Sequence, residues 1–378
     1  MNDNPTQSVA PDMSVAQVVV PCSDLDASLA FFVDRLGFRL DMIMPADAPR
    51  VAEVSGHGLS LRLDASDDAP IPGTPISLRL LCESARWQRL GTHALHGPDG
   101  VRVEWIDRDA PIALPDGTQA FVISRAAEVG AWSDGRAGMH YRDLIPDRLG
   151  GRFIASHIRI PDGGPVPDYV HHHRIRFQMI YCKAGWVRVV YEDQGPPFVM
   201  HAGDCVLQPP GIRHRVLEAS DGHEVIEIGC PAVHETLRDH AMELPTAQVR
   251  PGRLFGSQRF VRHVAANADW KSAHDARWKF RDTGIADATN GLVSVRVLRT
   301  MDDSSAQRTK PNPTTHNGEF LFLFVLDGVP RLTSRALGTH DLNPGDACVI
   351  PAGADYALAA NAACQILEIA LPAAAAER

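Results

Sequence analysis

"HHHRIRFQMIYCKAGWVRVV", residues 171 to 190, sets three histidines at the head of a strand-like run, closes it with Gly185 and starts a second strand. Alternate residues of a strand face the same way, so His171 and His173 point together and His172 points opposite. Two imidazoles on one face are a chelate in waiting. Five residues past His173, Gln178 lies on the strand leading to Gly185, and "GDCVLQPPGIRH", residues 203 to 214, delivers His214 just beyond a Pro-Pro-Gly turn. A solvated loop explains one histidine triplet. Four donors spread over two separated strand-turn units point instead to a metal, and His172 is read as a bystander. His201 and His223 are left unplaced, while Arg176 has the parity of Gln178 and is the one candidate for a catalytic side chain.

Working outward, residues from about Met139 to the end show many short strands broken by Gly, Pro and Asp turns, the texture of an all-β barrel or sandwich. This half repeats itself. "HYRDLIPDRLGGRFIASHIRI" is echoed by "KFRDTGIADATNGLVSVRVLR", and "GDCVLQPPGIRH" by "GDACVIPAGADY", each roughly 140 residues later. Two tandem barrels follow from that. Upstream, the strand "VAQVVVPC" precedes "DLDASLAFFVDRLG", where Asp24 is an N-cap, Leu25, Leu29, Phe32 and Leu36 form a buried helical face and Gly37 a C-cap. With "RLDMIMP", "RVAEVSG" and "LSLRLDA" this gives a βαβββ unit, to which "ISLRLLC" and "GPDGVRVEWID", with a turn at "PDG", add further strands. The expected organisation is a disordered N-terminus at 1–12, an α+β unit at 13–108, a linker at 109–138, the first barrel at 139–235, a connection at 236–275 containing a short helix near "AVHETLRDHAM", the second barrel at 276–372 and a frayed tail at 373–378.

The spacing G-x5-H-x-H-x4-E-x6-G followed by G-x5-P-x-G-x2-H is the signature of cupins, and the chain resembles it at His171, His173, Gln178, Gly185, Gly203, Pro209, Gly211 and His214, with Gln in place of the usual Glu. The resemblance implies jelly-roll barrels and one divalent metal ion, Fe(II), Mn, Ni, Co or Zn, held in the first barrel by His171, His173, His214 and Gln178. In the second barrel the matching positions are Thr314, His316, Leu321 and Tyr356, with Glu319 as the nearest substitute carboxylate, so that barrel is expected to be scaffolding. The α+β unit resembles the glyoxalase-like, vicinal-oxygen-chelate fold. Its ligand positions match Gln17 and Glu104, but the other two fall near Arg62 and Ser77, which cannot replace a carboxylate and an imidazole. A worn-down unit that helps dimerise or wall off a substrate is expected.

The remaining composition excludes more than it selects. A net charge of -9 gives no footprint for nucleic acid or an anionic membrane, and no apolar run approaches the roughly 18 residues that span a bilayer. "MNDNPTQSVAPDMS" lacks the order of a signal peptide, so the cytoplasm is expected. Seven cysteines, odd in number and never in a CxxC pair, argue against a disulfide framework. A neutral donor set leaves the charge of a cation uncompensated and favours a small anionic substrate that chelates through oxygen. Three functions stay open: an Fe(II) dioxygenase, an oxygen-independent Lewis-acid isomerase, cyclase or lyase, and a non-catalytic small-molecule binder. A homodimer is compatible with all three.

Overall fold

The computed structural model describes residues 15–372 apart from 36, 57, 68–76, 97–101, 129–131, 301–310 and 312. The turn at "PDG", the expected disorder at 1–12, the tail at 373–378 and Leu36 lie outside the described residues. The chain divides into two compact units, residues 1–45 with 49–112 and residues 46–48 with 113–378.

In the first unit β1 (Val15–Pro21), β2 (Arg39–Met44), β3 (Val51–Gly56), β4 (Leu59–Asp64), β5 (Ser77–Cys82), β6 (Ala94–His96) and β7 (Arg102–Asp107) form a sheet in the order β2-β3-β4-β1-β5-β7-β6. The expected helix begins at its N-cap, where the Asp24 carboxylate accepts from the Ala27 amide at 2.9 Å. It runs as α-helix only over Leu25–Leu29 and continues as a π-helix over Ala30–Arg35. Leu25 is buried, and Leu29 and Phe32 pack with it against Val54, Leu61 and Leu63 of the sheet.

The second unit is almost entirely β. Its strands are β8 (Val122–Ser124), β9 (Ser133–Asp134), β10 (His140–Asp143), β11 (Ile154–Ile160), β12 (Gly164–Pro165), β13 (His171–Arg174), β14 (Phe177–Ala184), β15 (Trp186–Tyr191), β16 (Phe198–His201), β17 (Cys205–Gln208), β18 (His214–Ala219), β19 (His223–Cys230) and β20 (Glu235–Arg238). There follow β21 (Leu254–Phe255), β22 (Gln258–Arg259), β23 (Val261–His263), β24 (Lys271–Ser272), β25 (Trp278–Asp282), β26 (Ser294–Thr300), β27 (Thr314–Thr315), β28 (Phe320–Asp327), β29 (Arg331–Ser334), β30 (Gly338–Asp341), β31 (Ala347–Val349), β32 (Asp355–Ala359) and β33 (Gln365–Leu371). The first barrel faces a β16-β15-β18-β13-β20 sheet with β23-β17-β14-β19-β11-β10-β9, and the second faces β27-β32-β29-β30 with β24-β25-β26-β33-β28-β31-β8.

Strand parity explains how the barrels join. On β14, Phe177, Met179 and Tyr181 turn outward into one shared core, where they meet Phe320, Phe322 and Phe324 from the same face of β28. Phe153 stacks on Phe320 across this seam with ring centroids 4.1 Å apart. The alternate residues turn into each barrel: Cys182 in the first, and Leu321, Leu323 and Val325 in the second. A strand buried on both faces reads as the continuous apolar run "FLFLFVL".

Two stretches differ from expectation. The region read as a helix near "AVHETLRDHAM" is strand β20, because it pairs with β13 in the register His171↔Arg238, His172↔Leu237, His173↔Thr236 and Arg174↔Glu235. The pairing satisfies a backbone ladder that outweighs local helix propensity. The stretch read as a linker supplies β8 to the second barrel, through Cys348↔Ile123, and β9 to the first, through Tyr141↔Ser133. Strands of two or three residues carry too little alternation to be read from sequence.

Candidate metal centre

The register of β13 and β18 pairs His171 directly with His214. On β13 the burial alternates, His171 and His173 being enclosed while His172 is only half-buried on the opposite face, as the parity requires. The result is a cluster in which ligand-capable atoms of His171, His173 and His214 all lie within 4.8 Å of one another.

Each ring is oriented by its Nδ1 atom. His171 Nδ1 meets the Tyr169 carbonyl at 2.8 Å, His214 Nδ1 the Ile212 carbonyl at 3.0 Å, and His173 Nδ1 the Thr236 hydroxyl at 3.1 Å. A carbonyl oxygen accepts only, so Nδ1 of His171 and His214 carries the proton and Nε2 keeps its lone pair. Tethering the distal nitrogen in this way is how proteins aim imidazole ligands. Burial, with the neighbouring charges, holds His171 and His173 well below the usual imidazole range and pushes His214 down to about 4, so all three are neutral near pH 7.

Gln178 is 2% exposed and lines the same cavity. Its amide nitrogen donates to Glu227 Oε1 at 2.6 Å, while its own Oε1 is buried without a partner. Glu227, on the neighbouring strand β19, also lines the cavity, and burial raises its carboxyl above the ordinary range despite the Gln178 hydrogen bond. The cavity measures about 90 Å³, with walls that include Ile158, Val189, Met200 and Val225. That is room for a few non-hydrogen atoms beside an ion.

Three further residues belong to the site and were not singled out from sequence as parts of it. His234 follows the cavity wall with its ring centroid 5.4 Å from that of His173, Nδ1 on the Pro231 carbonyl at 3.1 Å and a buried, unpartnered Nε2. It lay in the segment mistaken for a helix. Arg136 sits in a short 3-10 turn and makes 2.6 Å contacts to both Asp168 and His171 Nε2. No strand or motif marks it. Glu227 had a legible signal, the alternation of "HEVIEIGC", which puts Glu227 on the face of Val225.

Arg176 does not line the cavity. The chain bends between β13 and β14, which breaks the parity that related it to Gln178, and its guanidinium bonds both Glu319 carboxylate oxygens at 2.9 Å. Glu319 also receives Arg152 at 2.7 Å, so it ties the two barrels together and does not serve the second one as a ligand. His223 lines the cavity, held by the Ala184 carbonyl at 3.1 Å, whereas His201 is exposed.

The second barrel repeats the geometry without the chemistry. Its β27–β32 register pairs Thr314 with Tyr356, as β13–β18 pairs His171 with His214. The His316 carbonyl accepts from Gly353 as that of His173 accepts from Gly211. Yet both ring nitrogens of His316 are spent, Nε2 on the Ile350 carbonyl at 2.7 Å and Nδ1 on the Gly318 amide at 3.2 Å.

In the first unit Gln17 is buried, accepts from Arg79 at 3.1 Å and donates to Ser60 at 3.3 Å. Arg62 pairs with Asp64 at 3.0 Å and reaches Glu53 at 3.8 Å. Glu104 stands opposite Arg79 in the β5–β7 register. The side chain of Ser77 lies outside the described residues.

Residues 156–228 match the cupin domain family. The matched segment includes all four candidate ligands, and the chain contains a cupin domain. Among solved structures, oxalate decarboxylase from Bacillus subtilis at pH 4.6 is similar at 14% identity over 68% of this chain and 78% of that one, with a TM-score of 0.47. A second structure of the B. subtilis enzyme, which addresses its Mn(II) centres, gives 13% identity, 69% and 81% coverage and a TM-score of 0.47. Protein Ylba from Escherichia coli gives 13% identity, 69% and 94% coverage and 0.47. No curated protein matches the sequence. Among the described residues no helix is long and apolar enough to cross a membrane.

Proposed function

We propose that the cupin domain is a metal-dependent catalytic centre for a small, anionic, oxygen-chelating organic molecule, with His171, His173, His214 and Gln178 as ligands of one divalent cation. The observation that carries this reading is the cluster of three tethered, neutral imidazoles. The donor set fits a cation, since two carbonyls and a hydroxyl anchor the Nδ1 atoms and the buried Gln178 Oε1 is orphaned. One adjustment is required. Arg136 donates to His171 Nε2, so that hydrogen bond and a cation on the same lone pair exclude each other.

Bound there, the ion would supply Lewis acidity, or a site for dioxygen if it is Fe(II). The protein's own residues do the rest. Arg136, freed from His171 and still paired to Asp168, offers a buried positive charge to an anionic substrate. The aliphatic wall excludes water, which strengthens each of these interactions. An Fe(II) dioxygenase is the first reading. The second, an oxygen-independent isomerase, cyclase or lyase, is favoured by Glu227, a carboxyl in the cavity wall able to hold or accept a proton.

Anaerobic purification followed by titration with Fe(II), Mn, Ni, Co and Zn tests the centre. One equivalent of cation is expected, and none bound at excess ion would overturn the reading. Oxygen uptake on a panel of phenolates and dicarbonyls then separates the two chemistries: uptake supports the oxygenase, and turnover without uptake the Lewis-acid enzyme. The N-terminal unit we read as a glyoxalase-like domain without metal chemistry of its own, because Arg62 and Arg79 supply positive charge on the face where the fold would hold an ion. A homodimer in the cytoplasm completes the proposal.

A further inference from the structure

Glu227 and Glu368 occupy equivalent places in the two barrels. Glu227 lies opposite Ile180 and Ser156 in its sheet, and Glu368 lies opposite Leu323 and Arg296 in the other. In the second barrel, where the neighbouring β28 position is Leu321, the carboxylate has its own counter-ion: Arg296 Nε donates to Glu368 at 3.0 Å. In the first barrel the position of that arginine is taken by Ser156, which is buried and carries no charge. Among the described residues no lysine or arginine pairs with Glu227, and the cation in this cavity, Arg136, is already engaged by Asp168. What Glu227 does hold is the Gln178 amide, at 2.6 Å.

We propose that Glu227 delivers, through the Gln178 amide, the negative charge that a carboxylate at position 178 would deliver directly. A carboxylate behind the NH₂ group polarises the amide and builds electron density on Oε1, the atom turned to the ion. It is the logic by which a carboxylate behind a histidine raises that ligand's basicity. Glu227 is thus a positioning and charge-compensating residue, and the ion is its missing counter-charge. A barrel keeps either an internal arginine or a metal, and the carboxylate is common to both. The four donors stay neutral, and the compensating charge sits one hydrogen bond behind them.

This inference rests on the metal reading above, and the test separates the two. Mn(II) and Co(II) affinities of the full chain are measured calorimetrically for the wild type, Glu227→Gln, Gln178→Glu and the double swap, together with Co(II) visible absorption and melting of the metal-free proteins. Glu227→Gln keeps an acceptor for the Gln178 amide and removes only the charge. It is expected to weaken cation binding by about 10–100-fold, the usual effect of removing such a support. Its metal-free form should melt no lower than the wild type, because an uncompensated charge is gone. The double swap should restore affinity and alter the Co(II) spectrum, the carboxylate now being in contact with the ion. Wild-type affinity in Glu227→Gln, or a lowered metal-free melting temperature with affinity intact, would overturn the proposal. A wild type that binds no cation would sink the metal reading itself.

Discussion

The two barrels are built on one register, and they differ in where their polar groups find partners. In the first, Nδ1 of every clustered histidine is tied back and ligand-capable atoms of the three lie within 4.8 Å of one another, while Gln178 Oε1 and His234 Nε2 are left without protein partners. In the second, His316 is satisfied on both nitrogens by backbone and Glu368 by Arg296. Buried polar groups are normally paired, so a cavity that leaves several unpaired is either strained or awaiting a ligand. Where the first barrel leaves such groups open, the second closes Glu368 with Arg296, and in the N-terminal sheet Arg62 and Arg79 likewise pair with Asp64 and Glu53.

The comparison breaks most directly at its histidines. Replacing His173 by Ala should reduce cation affinity by at least about 100-fold, as expected for the loss of one ligand from a small set. The equivalent His316→Ala should leave affinity unchanged and instead lower stability by about 1–3 kcal/mol, since it orphans the Ile350 carbonyl and the Gly318 amide. Titration calorimetry and thermal melting of both variants check this. Equal loss of metal from both would mean that the second barrel also takes part.

The counter-ion can also be transplanted. Ser156→Arg gives the first barrel what Arg296 gives the second, and because Ser156 lines the cavity the new guanidinium can reach Glu227. Cation affinity should fall by about 10–100-fold, as for any loss of outer support, with melting of the metal-free protein unchanged or raised. Retained affinity would argue that Glu227 is not the ion's counter-charge.

Acid should separate the barrels too. Burial pushes His223 down to about 4, whereas the equivalent second-barrel position is Cys364, which does not titrate in acid. With a folded value near 4 and an unfolded one near 6.5, the unfolded chain binds more protons between those limits. The His223 contribution is then full above pH 6.5 and falls with decreasing pH by up to about 1.4 kcal/mol per unit until pH 4, added to that of the depressed His171, His173 and His214. Urea unfolding of the metal-free protein from pH 7 to 4 measures the effect, with His223→Gln lowering the slope by the share of one histidine.

Sequence reached the histidines because period two is local: His171 and His173 are two residues apart, and the Pro-Pro-Gly turn announces His214. The repeat made the tandem barrels legible for the same reason. What stayed hidden was set by pairing across distance. Thr236 lies on a strand whose partner is some sixty residues upstream, and His234 stands just before that strand, so a helical reading of the segment was misleading. Arg176 was misjudged by a bend that no alternation records, and the Gln178–Glu227 contact joins residues 49 apart. The short strands β8 and β9 gave no periodic signal and vanished into an apparent linker.

Arg136 offers the finest test of the contrast, because among the described residues it is the arginine that hydrogen-bonds a histidine of the cluster. Its Nη2 holds His171 Nε2 at 2.6 Å while Nη1 holds Asp168, itself fixed by the Val216 amide at 2.9 Å. A cation must break the first of these bonds and tolerate a like charge nearby. Arg136→Gln removes both obstacles and leaves Asp168 as an added negative charge, so cation affinity should rise by about tenfold, the worth of one hydrogen bond to a charged group. Affinity for an anionic substrate should fall in the same variant. If cation affinity instead stays level, the guanidinium swings clear without cost, and Arg136 acts on the substrate alone.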